Sequence, residues 1–324
     1  MEQAMHFLSL RDFRKDELEH IIDQSIIIKN LMKDKPSEYA TGFAKILEGK
    51  TLMMLFEKPS LRTRLSFETG MTQLGGHAIY YSIKDSPLGK KESIQDTAIV
   101  ASRFVDIIMA RLFKHSDIEE LARYSSVPVI NALTDFSHPC QIMGDFMTII
   151  EKRGSLKNLK LAYLGDSNNN VTHSLLYGCS IMGMNISVGC PKGADYEPIP
   201  HVMEWSSKKA QEEGCRVILT HDPIEAVKGA DIVYTDSWMS YHIDPSKEAE
   251  RVKIFMPYQV NAKLMSYAKP DAYFMNCLPA MRGYEQTADV IDGSQSIVYD
   301  EAENRMHIQK GIILRLLELI QAEV

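Results

Sequence analysis

Short apolar runs recur along this chain, and stretches of helical periodicity lie between them. Residues 51–56, 77–81, 106–110 and 127–131 read as strands in the first half. Residues 160–166, 185–189, 217–220, 232–235 and 273–276 do so in the second. Helical spacing is expected over 16–32, after Ser60, over 94–104 behind a Ser93 cap, over 117–124, and from His138 to about Lys152. A last long helix is expected from Glu301 to the end, with Ile308, Ile312, Ile313, Leu316 and Leu317 on its apolar side. Strands that alternate with helices imply parallel pairing, because a parallel neighbour is reached only through a crossover. The expected class is therefore α/β.

Length divides that alternation in two. A chain of 324 residues suggests about two domains, and Gly154-Ser155-Leu156-Lys157-Asn158 reads as a linker between them. A hydrophobic share of 45% with 24% charged residues fits a soluble globular protein. The formal net charge of −7 argues against general nucleic-acid binding, which needs a basic surface. No run approaches the ~20 apolar residues that span a bilayer, and the first residues lack a signal peptide's basic and apolar segments. Five scattered cysteines without a C-x-x-C pair fit reduced thiols, and a cytoplasmic location is expected.

The stretch Phe56-Glu57-Lys58-Pro59-Ser60-Leu61-Arg62-Thr63-Arg64 carries the first chemistry. Pro59 stops the strand, and Ser60 is a good N-cap for the next helix. A helix start exposes unpaired N–H groups and a positive dipole end. Two hydroxyls and two guanidinium groups added there suit a dianion such as phosphate. The bland alternative is a solvated basic helix start. Arg111 stands where a strand should end, the side of an open α/β sheet where ligands bind.

Ser60-Leu61-Arg62-Thr63-Arg64 resembles the Ser-Thr-Arg-Thr-Arg carbamoyl-phosphate loop of the aspartate and ornithine carbamoyltransferases. Further motifs appear in that family's order. His138-Pro139-Cys140-Gln141 is similar to its His-Pro-x-Gln. Gly165-Asp166-Ser167-Asn168-Asn169-Asn170 resembles its Gly-Asp-x-Asn-Asn turn, although a run of asparagines alone is ordinary turn chemistry. Asp236-Ser237-Trp238-Met239-Ser240 resembles Asp-x-Trp-x-Ser, and Cys277-Leu278-Pro279 resembles His-Cys-Leu-Pro without its histidine. The match continues through Arg282-Gly283 and Asp300-Glu301-Ala302-Glu303-Asn304-Arg305 to His307-Ile308-Gln309-Lys310.

The resemblance is closest to the ornithine enzymes. It implies two Rossmann-like parallel-sheet domains linked by helices. Residues 1–152 would bind carbamoyl phosphate and 153–304 the amino acid, while 305–324 would form a helix returning to the first domain. Carbamoyl phosphate would be held by Ser60, Leu61, Arg62, Thr63, Arg111, His138, Gln141, Cys277, Leu278 and Arg305, and ornithine by Asn170, Asp236, Ser240 and Tyr241. Arg111, His138, Cys277 and Asp236 would be catalytic, with Arg64 bracing the loop through a carboxylate. The implied partners are carbamoyl phosphate and L-ornithine, with no cofactor, no metal and no membrane. A homotrimer or a multiple of trimers is implied, with residues 86–91 reaching a neighbour's site.

Three departures bear on function. Tyr241-His242 replaces Met-Gly, Asn276 replaces His, and Pro87 stands where Gln is common. They leave two alternatives open: a different amine acceptor (putrescine, lysine or an N-acylated ornithine), or a non-catalytic paralogue. A nucleotide-dependent oxidoreductase is disfavoured, because only the first glycine of G-x-G-x-x-G stands after strand 160–166.

Overall fold

The structure is a computed structural model and describes residues 4–85, 92–239 and 243–319. The chain divides into two compact units, Met1–Met147 with Glu303–Val324, and Thr148–Ala302.

The first unit is built on four strands, β1 (Thr51–Phe56), β2 (His77–Ser82), β3 (Ile107–Arg111) and β4 (Val129–Leu133). Its helices are α1 (Lys15–Asp34), α2 (Pro36–Gly42), α3 (Leu61–Gln73), α4 (Ile94–Ala101) and α5 (His115–Tyr124). The strands are parallel and ordered β2-β1-β3-β4. Leu55, Ile108, Ala110 and Val129 pack with Ala98, Ile118 and Leu121 into one apolar cluster, which joins the sheet to α4 and α5.

The second unit holds β5 (Lys160–Leu164), β6 (Asn185–Gly189), β7 (Val217–Thr220), β8 (Ile232–Thr235) and β9 (Tyr273–Met275), ordered β7-β6-β5-β8-β9 and again all parallel. Before it comes α6 (Pro139–Arg153); within it lie α7 (Asn170–Met182), α8 (Pro200–Glu213), α9 (Pro223–Val227), α10 (Glu248–Phe255), α11 (Ala262–Met265) and α12 (Ala288–Ile291); α13 (Val298–Leu316) comes last. Ala162, Leu164, Val233 and Phe274 form its core with Val227, Leu264 and Ile291. The division between units falls inside α6 and again inside α13, whereas the linker expected from sequence lies just after α6.

All nine strands of the described residues fall where the apolar runs placed them, with shifts at the ends that have local causes. β4 starts two residues later than expected, because Pro128 has no N–H to give a ladder. α4 stops at Ala101 rather than at 104, where the Ser102 hydroxyl bonds the Ala98 carbonyl at 2.6 Å and competes with the next turn. α13 begins at Val298 rather than Glu301, which places Asp300 and Glu301 in its first turn beside the positive dipole end. α2 gave no periodic signal; Pro at its first position nucleates it.

Each sheet reverses its strand order once, between β1 and β3 in the first and between β5 and β8 in the second. In open parallel sheets the carboxyl ends at such a reversal leave a crevice for a ligand. Ser60 and Arg111 flank the first reversal. Gly165–Asn170 and Asp236 flank the second.

Candidate active site

In the first unit, Ser60 caps α3, and its hydroxyl accepts from the Thr63 N–H at 3.4 Å. The same hydroxyl donates to Thr63 Oγ1 at 3.1 Å, and Arg111 Nη1 donates to that oxygen at 3.3 Å. This chain of contacts is a consequence of register. Arg111 lies across from Phe56 at the end of the ladder, and a register shift between Ala110 and Arg111 on the β4 side re-aims its side chain. Leu61 and Arg62 are the first two residues of α3, so their amides are among those left without intrahelical acceptors. Arg64 turns away, bonded to Glu68 at 3.0 Å with its guanidinium 4.1 Å from the Tyr80 ring centroid. The carboxylate it meets is on its own helix, an i,i+4 pair, rather than a brace across the loop.

His138 precedes α6 and is buried. Desolvation, with the positive Arg305 and Arg111 nearby, holds its imidazole well below the usual histidine range. It is therefore neutral at pH 7 and can donate one N–H without carrying charge. Gln141 Nε2 donates to Asp145 Oδ1 at 2.7 Å, and Gln141 Oε1 accepts from Arg305 Nη1. The Arg305 side chain lies over Gly144, where an added Cβ would stand 3.2 Å from its Cδ. Its Nε and Nη2 are buried and have no hydrogen-bond partner among the described residues. Lys58 is held below the ordinary lysine range by desolvation and then by Arg111. Repelling cations and buried, unanswered guanidinium N–H groups describe a cradle for an anion.

In the second unit, Asn169 caps α7, accepting from the Thr172 N–H at 2.8 Å and donating to the Tyr163 hydroxyl at 3.0 Å. Asn169 is thereby committed to the turn. Asn170, the first residue of α7, is half-buried. Asp236 comes directly after β8, and Cys277 Sγ donates to its Oδ1 at 3.2 Å. Desolvation raises the Asp236 carboxyl above the usual range, while the Ser237 N–H and the Cys277 thiol oppose the rise. Leu278 sits in the left-handed region at φ 56°, uncommon for a residue with a Cβ. Ser240, Tyr241, His242 and the segment 86–91 with Pro87 lie outside the described residues.

Asn276, the departure from His, is fully buried and faces inward. Its Oδ1 accepts from the Leu278 N–H at 2.8 Å, and its Nδ2 donates to Gln286 Oε1 at 3.1 Å. An imidazole accepting at Nδ1 and donating at Nε2 offers the same pair. The substitution thus keeps the brace behind Leu278. Trp238 is fully buried.

Several supporting residues were missed in the sequence. Asp145 had a signal, since four residues beyond Gln141 on a helix is the neighbouring position. Glu301 takes the Asn276 N–H at 3.0 Å and the Tyr234 hydroxyl at 3.2 Å, and nothing in its local sequence marks that. Among the described residues no group of three or more His, Cys, Asp or Glu is placed to hold a metal. Among them, too, no helix is long and apolar enough to cross a membrane.

Fold and site together define a two-sheet α/β protein, with an anion cradle at one strand-order reversal and a carboxylate–thiol pair at the other. Two family descriptions match almost the whole chain. "Aspartate/ornithine carbamoyltransferase, carbamoyl-P binding domain" matches residues 5–151, and "Aspartate/ornithine carbamoyltransferase, Asp/Orn binding domain" matches residues 157–316. The ornithine carbamoyltransferase of Thermococcus kodakarensis is 51% identical over 307 residues, 94% of each chain. The solved ornithine carbamoyltransferase of Pyrococcus furiosus aligns with TM-score 0.92 and 47% identity, covering 98% of both chains. The ornithine transcarbamoylase structure from Giardia lamblia aligns with TM-score 0.87 and 42% identity, covering 99% of this chain and 100% of that one. The chain belongs to the aspartate/ornithine carbamoyltransferase family.

Proposed function

We propose that this protein transfers the carbamoyl group of carbamoyl phosphate to the side-chain amine of L-ornithine, giving L-citrulline and phosphate. The observation that carries the reading is the cradle of the first unit, with Ser60, Thr63 and Arg111 linked by hydrogen bonds and Gln141 bonded to Arg305. Relatives named ornithine carbamoyltransferase at about half identity support ornithine as the acceptor.

The neutral δ-amine attacks the carbonyl carbon and forms a tetrahedral oxyanion. Collapse breaks the bond to the phosphate oxygen, and the nitrogen gives its proton to the departing phosphate. Arg111, neutral His138 and the Thr63 hydroxyl answer the oxyanion with donors already in place, the kind of preorganisation that supplies most of such a rate enhancement. Ser60, Arg62, Thr63 and the amides opening α3 hold the phosphate, and the Gln141 oxygen, with a second lone pair, accepts from the carbamoyl NH₂. Cys277 and the Leu278 carbonyl also serve the carbamoyl group. Asp236 and Asn170 take the α-amine and carboxylate, and Ser240 and Tyr241 complete the residues proposed for the acceptor. A diamine has no carboxylate for Asn170, so an α-amino acid fits better.

The 1–152 segment acts as the carbamoyl-phosphate domain and 153–304 as the amino-acid domain. The working form is a homotrimer or a multiple of it.

The deciding experiment is a colorimetric ureido assay with carbamoyl phosphate and ornithine, putrescine, lysine, acetylornithine or aspartate. Ornithine should give the highest kcat/KM. A higher value for putrescine or acetylornithine would replace the acceptor and leave carbamoyl transfer standing. No turnover with any of them would mean a non-catalytic paralogue.

A further inference from the structure

Arg251 is a buried arginine on α10, outside each of the family's sequence motifs. Its Nη2 donates to Asp166 Oδ2, and its Nε donates to the Trp238 carbonyl at 2.8 Å. The two acceptors belong to different loops. Asp166 lies on the turn after β5, four residues before Asn170. Trp238 lies on the loop after β8, two residues beyond Asp236. Asp166 also accepts from the Asn168 N–H at 3.2 Å, so the guanidinium grips a carboxylate already built into its turn.

Backbone and ring contacts hold Trp238, while its indole Nε1 has no hydrogen-bond partner among the described residues. The Trp238 N–H donates to Glu285 Oε1 at 3.3 Å, and the other oxygen of Glu285 takes the Met281 N–H at 3.0 Å. The indole stacks on Phe255 at 5.9 Å and on Tyr284 at 6.4 Å between ring centroids. The Arg251 guanidinium lies 4.9 Å from the Phe255 centroid and 5.9 Å from that of Tyr196. Gly165 completes the fit: at φ 118°, a Cβ there would stand 3.0 Å from the indole Nε1. A planar fork can bond both loops while its faces rest on rings, and a lysine cannot.

We propose that Arg251 is a positioning residue for the amino-acid acceptor, tying the turn that carries Asn170 to the loop that carries Asp236. It touches neither the substrate nor the reacting atoms. It sets the separation of the two groups that grip the acceptor's α-carbon substituents. The inference rests on the ornithine reading above. Small displacements of such groups are costly, since about 1 Å of misplacement can lower rates ~10²-fold.

The test is Arg251→Lys in the full-length protein, beside the wild type. It keeps a charge for Asp166 and gives up the Nε bond to Trp238. The KM for ornithine at saturating carbamoyl phosphate should rise about tenfold or more, as expected for lost positioning. The KM for carbamoyl phosphate should stay within about twofold, because the groups that hold it are not the ones Arg251 ties. Equal shifts for both substrates, or no shift for ornithine, would overturn the proposal. A wild type that does not turn over ornithine would instead overturn the functional reading. If Arg251→Lys does not fold, Phe255→Leu decides by the same criteria. It removes the ring under both the guanidinium and the indole, and should raise the ornithine KM alone.

Discussion

A neutral imidazole at position 138 is the residue whose charge state matters most to the proposed chemistry. His138 sits in a buried place, and desolvation, with Arg305 and Arg111 adding to it, puts its pKa well below 6.5. His138→Ala should lower kcat by roughly 10²-fold or more, as the loss of one oxyanion donor does. A change in KM alone would make it a ground-state binder. The sign of the pH effect comes from linkage. The unfolded chain takes up a proton near pH 6.5 that folded His138 refuses, so this residue lowers stability as pH falls below 6.5. Within the folded enzyme, the kcat profile should show no inflection near 6.5 from His138. Asn276 teaches the complementary lesson, since a departure that looked disabling as a letter retains the donor and acceptor of the ring it replaces.

At the scale of elements, two helix starts do matching work. Ser60 caps α3 and Asn169 caps α7, each with its side chain accepting from a backbone N–H three residues on. Each cap lies at a strand-order reversal, so the residues just after it face the crevice. α13 has a different burden. Lys310 in its interior is fully buried, and its Nζ meets the thioether of Met32 at 3.0 Å rather than a carboxylate. Desolvation brings its pKa down to about 8. The folded pKa lies below the unfolded value, so stability is lower throughout pH below 8 and recovers as pH rises from 8 to 10.5. Lys310→Met should therefore stabilise the protein at pH 7 by about 1–3 kcal/mol, since each pKa unit corresponds to about 1.36 kcal/mol. The gain should vanish near pH 10.5 in paired urea titrations. An unchanged or lowered midpoint at pH 7 would show that the ammonium has a compensating partner.

For the molecule as a whole, the proposed trimer makes a plain demand on mass. One chain is 36.7 kDa. Multi-angle light scattering should give three times that mass or a multiple of three. A monomer with full activity would reject a site shared between subunits.

By itself the sequence determined the α/β class, the nine strands of the described residues and the strand ends at which the proposed site residues stand. Those are local properties: a buried strand is a short apolar run, Ser60 caps because a helical stretch begins right after it, and a reactive loop lies at a strand end. Arg111 was legible for the same reason, as the last residue of a strand. What only the tertiary structure decided are the contacts between segments distant in sequence. Arg305 reaches Gln141 across 164 positions, Arg251 reaches Asp166 across 85, and Glu301 reaches Asn276 across 25. No periodicity encodes such pairs, because strand order and register bring them together, and buried polar groups must then find partners wherever the fold places them.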